Sequence, residues 1–263
     1  MPLNIIVAVK QVVDPETPVT ALHLDRDSVR VSSPSNVPPV INGYDEQAIE
    51  AALRLKDSQG AHVTALSAGK EFSMDVIKKP LSMGCDDLVL LQDAVFEDLD
   101  SFGTAQALAA AINKIGEFDL ILFGRQASDW DNAQVPLGVA EILGLPCITI
   151  AKGVEATDTN VRVDRVLPDG HEVVEANLPA VITVSNELGQ PRYPSLRNIM
   201  AAVRKNPTVW SGQDLGLDSL DTQVETKDLF IPVSEKECEF LEGEDEADAG
   251  RKLAMALREA NLV

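Results

Sequence analysis

The chain has 263 residues, a length that suits one large domain or two. Apolar residues make up 45% of it, enough for a buried core, yet no apolar run reaches the roughly 18 to 20 residues that span a bilayer. Direct membrane insertion is therefore not expected. The formal net charge of −20 sets the surface against nucleic acid and anionic membranes.

Much of the acid lies late, between residues 235 and 248, either as a solvated face or as a match for a partner with basic patches. The three cysteines, Cys85, Cys147 and Cys238, are far apart, with no CxxC and no histidine at ligand spacing. They read as small semi-buried thiols in a reducing compartment, not as a zinc site, a cluster or a disulfide framework. Residues 1–10 have no basic region before the apolar stretch and no small-residue cleavage site after it. They read as a first strand, and a cytoplasmic location is expected.

Strand-like and helix-like segments then alternate. Ile5 to Val9 is a strand, and residues 45–56 form a helix with Ala48, Ile49, Ala52, Leu53 and Leu55 on one face. A second strand, 63–66, ends at Ser67-Ala68-Gly69. A helix over 73–83 stops at Gly84, and 87–91 is a third strand. Residues 104–115 are an Ala-rich helix. Residues 119–123 are a continuous apolar run, the mark of a strand buried on both faces. A helix over 133–143 and a strand over 147–150 follow. This alternation predicts an α/β fold: a doubly wound parallel sheet flanked by helices. A hairpin is expected around Pro168-Asp169-Gly170, and a last strand over 178–184. Beyond Asn186 the periodicity fades: 190–205 is polar, 207–246 acidic and irregular, and 247–261 a terminal helix. Such a tail suits an arm that packs on another molecule.

In open parallel sheets ligands bind beyond the carboxyl ends of the strands. Three such ends are polar here: Lys10-Gln11, Ser67-Ala68-Gly69, and the loop from Gly124 to Val135. The third leads into a helix expected to begin near Asn132, whose free N–H groups favour a phosphate. Gly124 permits a close turn, and Asp129 and Asp131 are placed to cap the helix or orient a ribose. The same residues also describe an ordinary strand-to-helix loop. There is no GK[ST] and no GxGxxG. No catalytic constellation emerges: the three histidines are scattered, and no serine sits in a GxSxG elbow. A carrier or binding subunit fits better than a hydrolase. A stand-alone adenine-nucleotide-binding module is the alternative of another class.

Several ordered motifs together resemble the β subunit of electron-transfer flavoprotein. They are Val7-Ala8-Val9-Lys10-Gln11-Val12, Asn42-Gly43-Tyr44-Asp45-Glu46, Gly124-Arg125-Gln126-Ala127 with Asp129 and Asp131, Leu178-Pro179-Ala180-Val181, and Pro191-Arg192-Tyr193-Pro194-Ser195-Leu196 with Asn198-Ile199-Met200. The resemblance implies a heterodimer that passes electrons between flavin dehydrogenases, such as acyl-CoA dehydrogenases in fatty acid oxidation, and a downstream membrane-associated quinone-linked acceptor. It implies an FAD shared with an α subunit and a second nucleotide, AMP, in the β subunit. By motif match that pocket uses Ala8, Asn42, Ser67, Ala68, Gly124, Asp129 and Asp131, with the amides of Ala133, Gln134 and Val135 on the phosphate and Tyr44 towards the α-subunit flavin. Tyr193, Leu196, Ile199 and Met200 belong to a recognition loop, with Leu196 its apolar anchor. The implied organisation is a nucleotide-binding domain over 1–186, a partner-recognition loop and helix over 187–206, and an arm over 207–263 that packs on the α subunit. No bond-making chemistry is assigned to the chain itself.

Some members of the family hold a second FAD in place of AMP and divide electron pairs from NADH between two acceptors. Ala133-Gln134-Val135 is similar to that branch, since AMP-holding members tend to have threonine where Val135 stands. Against it, Val13-Asp14-Pro15 replaces the branch's Pro-Asp-Thr, and Trp130 stands where a small residue is usual. The choice between AMP and FAD stays open. An indole at that position either crowds the loop or stacks on a ring.

Overall fold

A computed structural model of the protein describes residues 2–26, 29–231 and 238–263. It divides into two compact units, Met1–Leu229 and Phe230–Val263. In the first unit the chain order is β1 (Asn4–Ala8), β2 (Gln11–Val12), β3 (His23–Asp25), β4 (Arg30–Ser32), β5 (Val40–Ile41), α1 (Gly43–Gln59), β6 (His62–Gly69), α2 (Met74–Ile77), α3 (Lys79–Met83) and β7 (Asp87–Gln92). It continues with α4 (Ser101–Ile115), β8 (Leu120–Gly124), α5 (Val135–Leu143), β9 (Cys147–Ala156), β10 (Asn160–Leu167), β11 (Gly170–Asn177), β12 (Ala180–Val184), α6 (Leu196–Arg204) and β13 (Thr208–Trp210). The second unit carries α7 (Glu246–Glu259).

The main sheet runs β11-β10-β9-β12-β8-β1-β6-β7-β13. Every pairing from β9 to β13 is parallel, and β10 and β11 extend the β9 edge as an antiparallel hairpin. The expected α/β architecture is present, and the hairpin turns at Pro168-Asp169 between paired Leu167 and Gly170. Strand alternation divides the core. Ile5 and Val7 of β1, with Leu120 and Leu122 of β8, pack on the face that carries α1, α3 and Ala202 of α6. Ile6 and Ala8, with Ile121 and Phe123, pack on the face that carries α4 and α5. Both sides of each central strand are buried, which is why their sequences read as unbroken apolar runs.

Three local readings are corrected. The single helix expected over 73–83 is two short helices that meet at Lys78, because Pro80 lacks an N–H to continue the first. The helix expected from Ala133 begins at Val135, because Asp131 and Ala133 hold positive φ angles of 52° and 53°, outside the helical region. The segment read as irregular from Pro207 supplies β13, which pairs Thr208–Trp210 with Val89–Leu91 of β7. Of the late acidic run, residues 235–237 lie outside the described residues. No helix among the described residues is long and apolar enough to cross a membrane. Cys85 is buried, Cys147 half-buried and Cys238 exposed.

Leu122 is wholly buried in β8, the middle strand of the nine. Leu122→Ala is expected to cost about 2 to 5 kcal/mol, read as a lower midpoint in urea unfolding with unchanged slope.

Candidate functional site

The chain leaves β1 through α1 on one face of the sheet and leaves β8 through α5 on the other. Such a reversal opens a crevice at the carboxyl ends of the two strands. Here the strands also part. β1 and β8 pair only from Ile5–Leu120 to Val7–Leu122. Above that, Ala8 pairs with Leu66 of β6, while Phe123 and Gly124 pair with Thr183 and Val184 of β12.

Side chains from the start of α1 fill the gap. The buried carboxylate of Asp45 accepts the Lys10 N–H at 2.7 Å and the Gly124 N–H at 3.2 Å. Gly124 is required there, because a Cβ would stand 2.5 Å from Asp45 Oδ1 and 2.6 Å from the Tyr44 carbonyl carbon. Asn42 occupies the capping position of α1, but its side chain makes no cap. It donates to the Gln126 carbonyl at 2.8 Å and accepts the Ser128 N–H at 3.2 Å. Lys10 Nζ reaches both oxygens of Asp129, at 2.9 and 2.7 Å. Three side chains, those of Asp45, Asn42 and Lys10, therefore stitch the β1-to-α1 connection to the end of β8 and the loop after it.

The crevice keeps polar groups without protein partners. Ser67 Oγ, at the end of β6, and Ser128 Oγ, in the loop after β8, are buried and unpartnered. A buried hydroxyl left unpaired is unfavourable, so such groups mark places where a ligand or water completes the set. α5 starts without a side-chain cap: Gln134 stands at its capping position with no side-chain bond to the backbone, and Pro136 lies in its first turn. Its leading N–H groups are available to an anion.

Asp129 and Asp131 do not cap this helix. Asp129 pairs with Lys10, and Asp131 accepts from Gln126 Nε2 at 2.6 Å. Ala8, Ser67, Ala68, Gly124, Asp129 and Asp131 come from the carboxyl ends of β1, β6 and β8 and the loop after β8, Asn42 from the start of α1, and Ala133, Gln134 and Val135 lead into α5. Tyr44 sits in the first turn of α1, with the Arg125 guanidinium 5.2 Å from its ring centre. The stitches made by Lys10 and Asp45 had no local signal, since they join residues 119 and 79 positions apart.

A second feature lies on the α1 and α3 face. Ser195 caps α6 by accepting the Asn198 N–H at 3.2 Å. Ala202 is the buried residue of this helix. Leu196, Ile199, Met200 and Val203 form an exposed stripe, and Tyr193 stands exposed just before it. Leu196 is 79% exposed and so is not local core. The segment is held by polar contacts. Arg192 binds the buried Glu50 carboxylate through its N–H at 3.1 Å and Nε at 2.8 Å, and pairs with Asp57 at 2.9 Å. Lys78 Nζ donates to the Val203 carbonyl and Lys205 Nζ to that of Asp86. Burial works to raise the Glu50 pKa, but the hydrogen bonds from Arg192 and Arg54 outweigh it and hold the carboxyl below its ordinary range. In the second unit, Asp245 caps α7 by accepting the Asp248 N–H at 2.7 Å, and no residue of that helix is buried.

A parted parallel sheet, an uncapped helix start and unpaired hydroxyls at the switch point define a doubly wound α/β protein with an open crevice at its strand ends. The model of the electron transfer flavoprotein domain matches residues 30–215. The electron transfer flavoprotein subunit beta of Clostridium acetobutylicum is 38% identical over 216 residues, which cover 82% of this chain and 81% of that protein. The caffeyl-CoA reductase-Etf complex subunit CarD of Acetobacterium woodii is 34% identical over 86% of this chain and 89% of its own. The subunit beta of Mycobacterium bovis is 32% identical over 97% of both chains. The chain belongs to the electron transfer flavoprotein family, among its β subunits. Membership carries electron transfer, the involvement of a flavin and a partner α subunit with it.

Burial raises the Asp45 pKa to about 7, against the pull of the N–H groups of Lys10 and Gly124 and the Asn42 side chain. The folded state therefore binds a proton that the unfolded state has released between the ordinary value of 3.8 and about 7. The contribution of Asp45 is fully present below pH 3.8 and is lost as pH rises through 7. Asp45→Asn is expected to remove a slope of up to about 1.4 kcal/mol per pH unit across that window, measured as the wild-type minus variant difference in urea unfolding.

Proposed function

We propose that this chain is the β half of a heterodimeric electron carrier that passes electrons from a flavin dehydrogenase, such as an acyl-CoA dehydrogenase, to a downstream quinone-linked acceptor, with AMP held in the crevice between β1 and β8. The observation that carries the nucleotide is the pairing of an uncapped α5 start with the buried, unpartnered hydroxyls of Ser67 and Ser128. These groups fit an anionic nucleotide: N–H groups for the phosphate, hydroxyls for the sugar or base, and a wall fixed by Asn42 and Asp45.

The flavin shared with the α subunit supplies the reversible electron acceptance. The chain's own residues bind, orient and exclude water. Tyr44, with Arg125 beside its ring, is the side chain we assign to the flavin-facing surface. The exposed stripe of α6 is the docking element for the donor, with Leu196 as its anchor. A single apolar anchor suits a weak complex that must form and part quickly. The apolar residues exposed in the second unit, Phe240, Leu253 and Met255 among them, suit an arm that lies on the α subunit.

A second reading places FAD instead of AMP in the crevice, with NADH as a donor. Val135, half-buried in the first turn of α5, favours it, because members of the family that hold AMP tend to carry threonine at this position. The deciding measurement is the FAD and AMP released per heterodimer when the complex purified with its α subunit is denatured. One FAD with one AMP supports the simple carrier. Two FAD with no AMP support the second reading, and neither nucleotide in the β subunit sinks both.

Leu196→Ala is expected to raise the KM for the donor flavoenzyme about tenfold or more, with kcat and flavin content unchanged. Loss of flavin in that variant would show that Leu196 is not a docking residue.

A further inference from the structure

The turn after β8 displays an indole that the chain does not bury. Trp130 is 50% exposed between Asp129 and Asp131. Both neighbours are fixed, Asp129 by Lys10 and Asp131 by Gln126. The turn closes through the Asp131 N–H on the Ala127 carbonyl at 2.8 Å. Asp131 and Ala133 hold left-handed backbone at φ 52° and 53°, a strained state for residues with a Cβ. The indole therefore does not crowd the loop. It stands on a fixed backbone, which lowers the entropy lost when something stacks on it.

Its place says what that partner is. Two residues earlier is the buried, unpartnered Ser128 hydroxyl, and five residues later α5 begins without a cap. A nucleotide with its phosphate at the start of α5 would still need its base covered, and Trp130 is an exposed aromatic side chain in the loop that leads to that helix. An indole face matches a purine in flatness and π character.

We propose that Trp130 is the stacking platform for the purine base of the nucleotide held in the crevice, an inference that rests on the nucleotide reading above. It holds for AMP and for the adenine of FAD alike. The platform fixes the base, while the α5 amides and the serine hydroxyls take the phosphate and sugar.

The chain has one other tryptophan, Trp210, in β13 at the far edge of the sheet with Lys114 Nζ 4.8 Å from its ring centre. The two are separable by substitution. The test is a titration of the full chain, freed of copurified nucleotide, with AMP and with ribose 5-phosphate, which lacks the base. Tryptophan emission and equilibrium dialysis are read together. AMP is expected to quench emission, and ribose 5-phosphate to displace AMP without quenching. Trp130→Leu is expected to lose the quench and to weaken AMP about tenfold, with ribose 5-phosphate unaffected. Trp130→Phe is expected to recover most of the AMP affinity. Unchanged AMP affinity in Trp130→Leu overturns the stacking role and leaves the nucleotide reading standing. Failure of both AMP and FAD to bind the wild-type chain removes the nucleotide reading, and the platform with it.

Discussion

The Asp45 carboxylate accepts N–H groups from two strands that have already separated. β1 and β8 share a register for three residue pairs and then turn to different neighbours. At that point the sheet would expose backbone donors inside the molecule, where an unpaired N–H is costly. One buried carboxylate meets both. Its position at the start of α1 couples three things: where the helix begins, how far the strands open, and where the loops on either side set out. Gly124 belongs to the same arrangement, since only a residue without a Cβ lets the carboxylate approach.

The walls of the crevice follow from this closure. Asn42 and the Lys10–Asp129 pair hold the two loops at fixed separation. The polar groups left over are then few and already oriented: the start of α5 and two hydroxyls. Pre-set donors bind an anion without first being ordered, which is the physical advantage of building a site at a switch point. The exposed apolar stripe on α6 is independent of this architecture. It lies on the layer of α1 and α3, and its ties to the body go through Glu50, Asp57 and the carbonyls of Asp86 and Val203.

The sequence carries its long buried strands openly, because burial on both faces forces apolar runs such as Leu120-Ile121-Leu122-Phe123. It conceals the short ones. β2, β5 and β13 have two or three residues, too few for any period, and tertiary pairing decides them. The start of α5 is not legible in the sequence, because nothing local announces that Asp131 and Ala133 adopt positive φ. The loop residues of the crevice could be named from their place after strands, but not their bonds. Lys10 finds Asp129 across 119 positions, and Arg192 finds Glu50 across 142. Likewise the pattern of Leu196, Ile199, Met200 and Val203 defines one face of a helix, and only the packing reveals that this face is turned outward.

An apolar stripe carried on charged struts has a consequence for descent. Changes to Leu196, Ile199 or Met200 touch no packed neighbour in the core, so they are nearly free of stability effects. Changes around Asp45 and Gly124 disturb the closure of the sheet itself. The exposed stripe and the crevice are therefore under unequal constraint. A lineage can rewrite the outward face of a single helix freely, while the crevice at the strand ends is inherited almost intact.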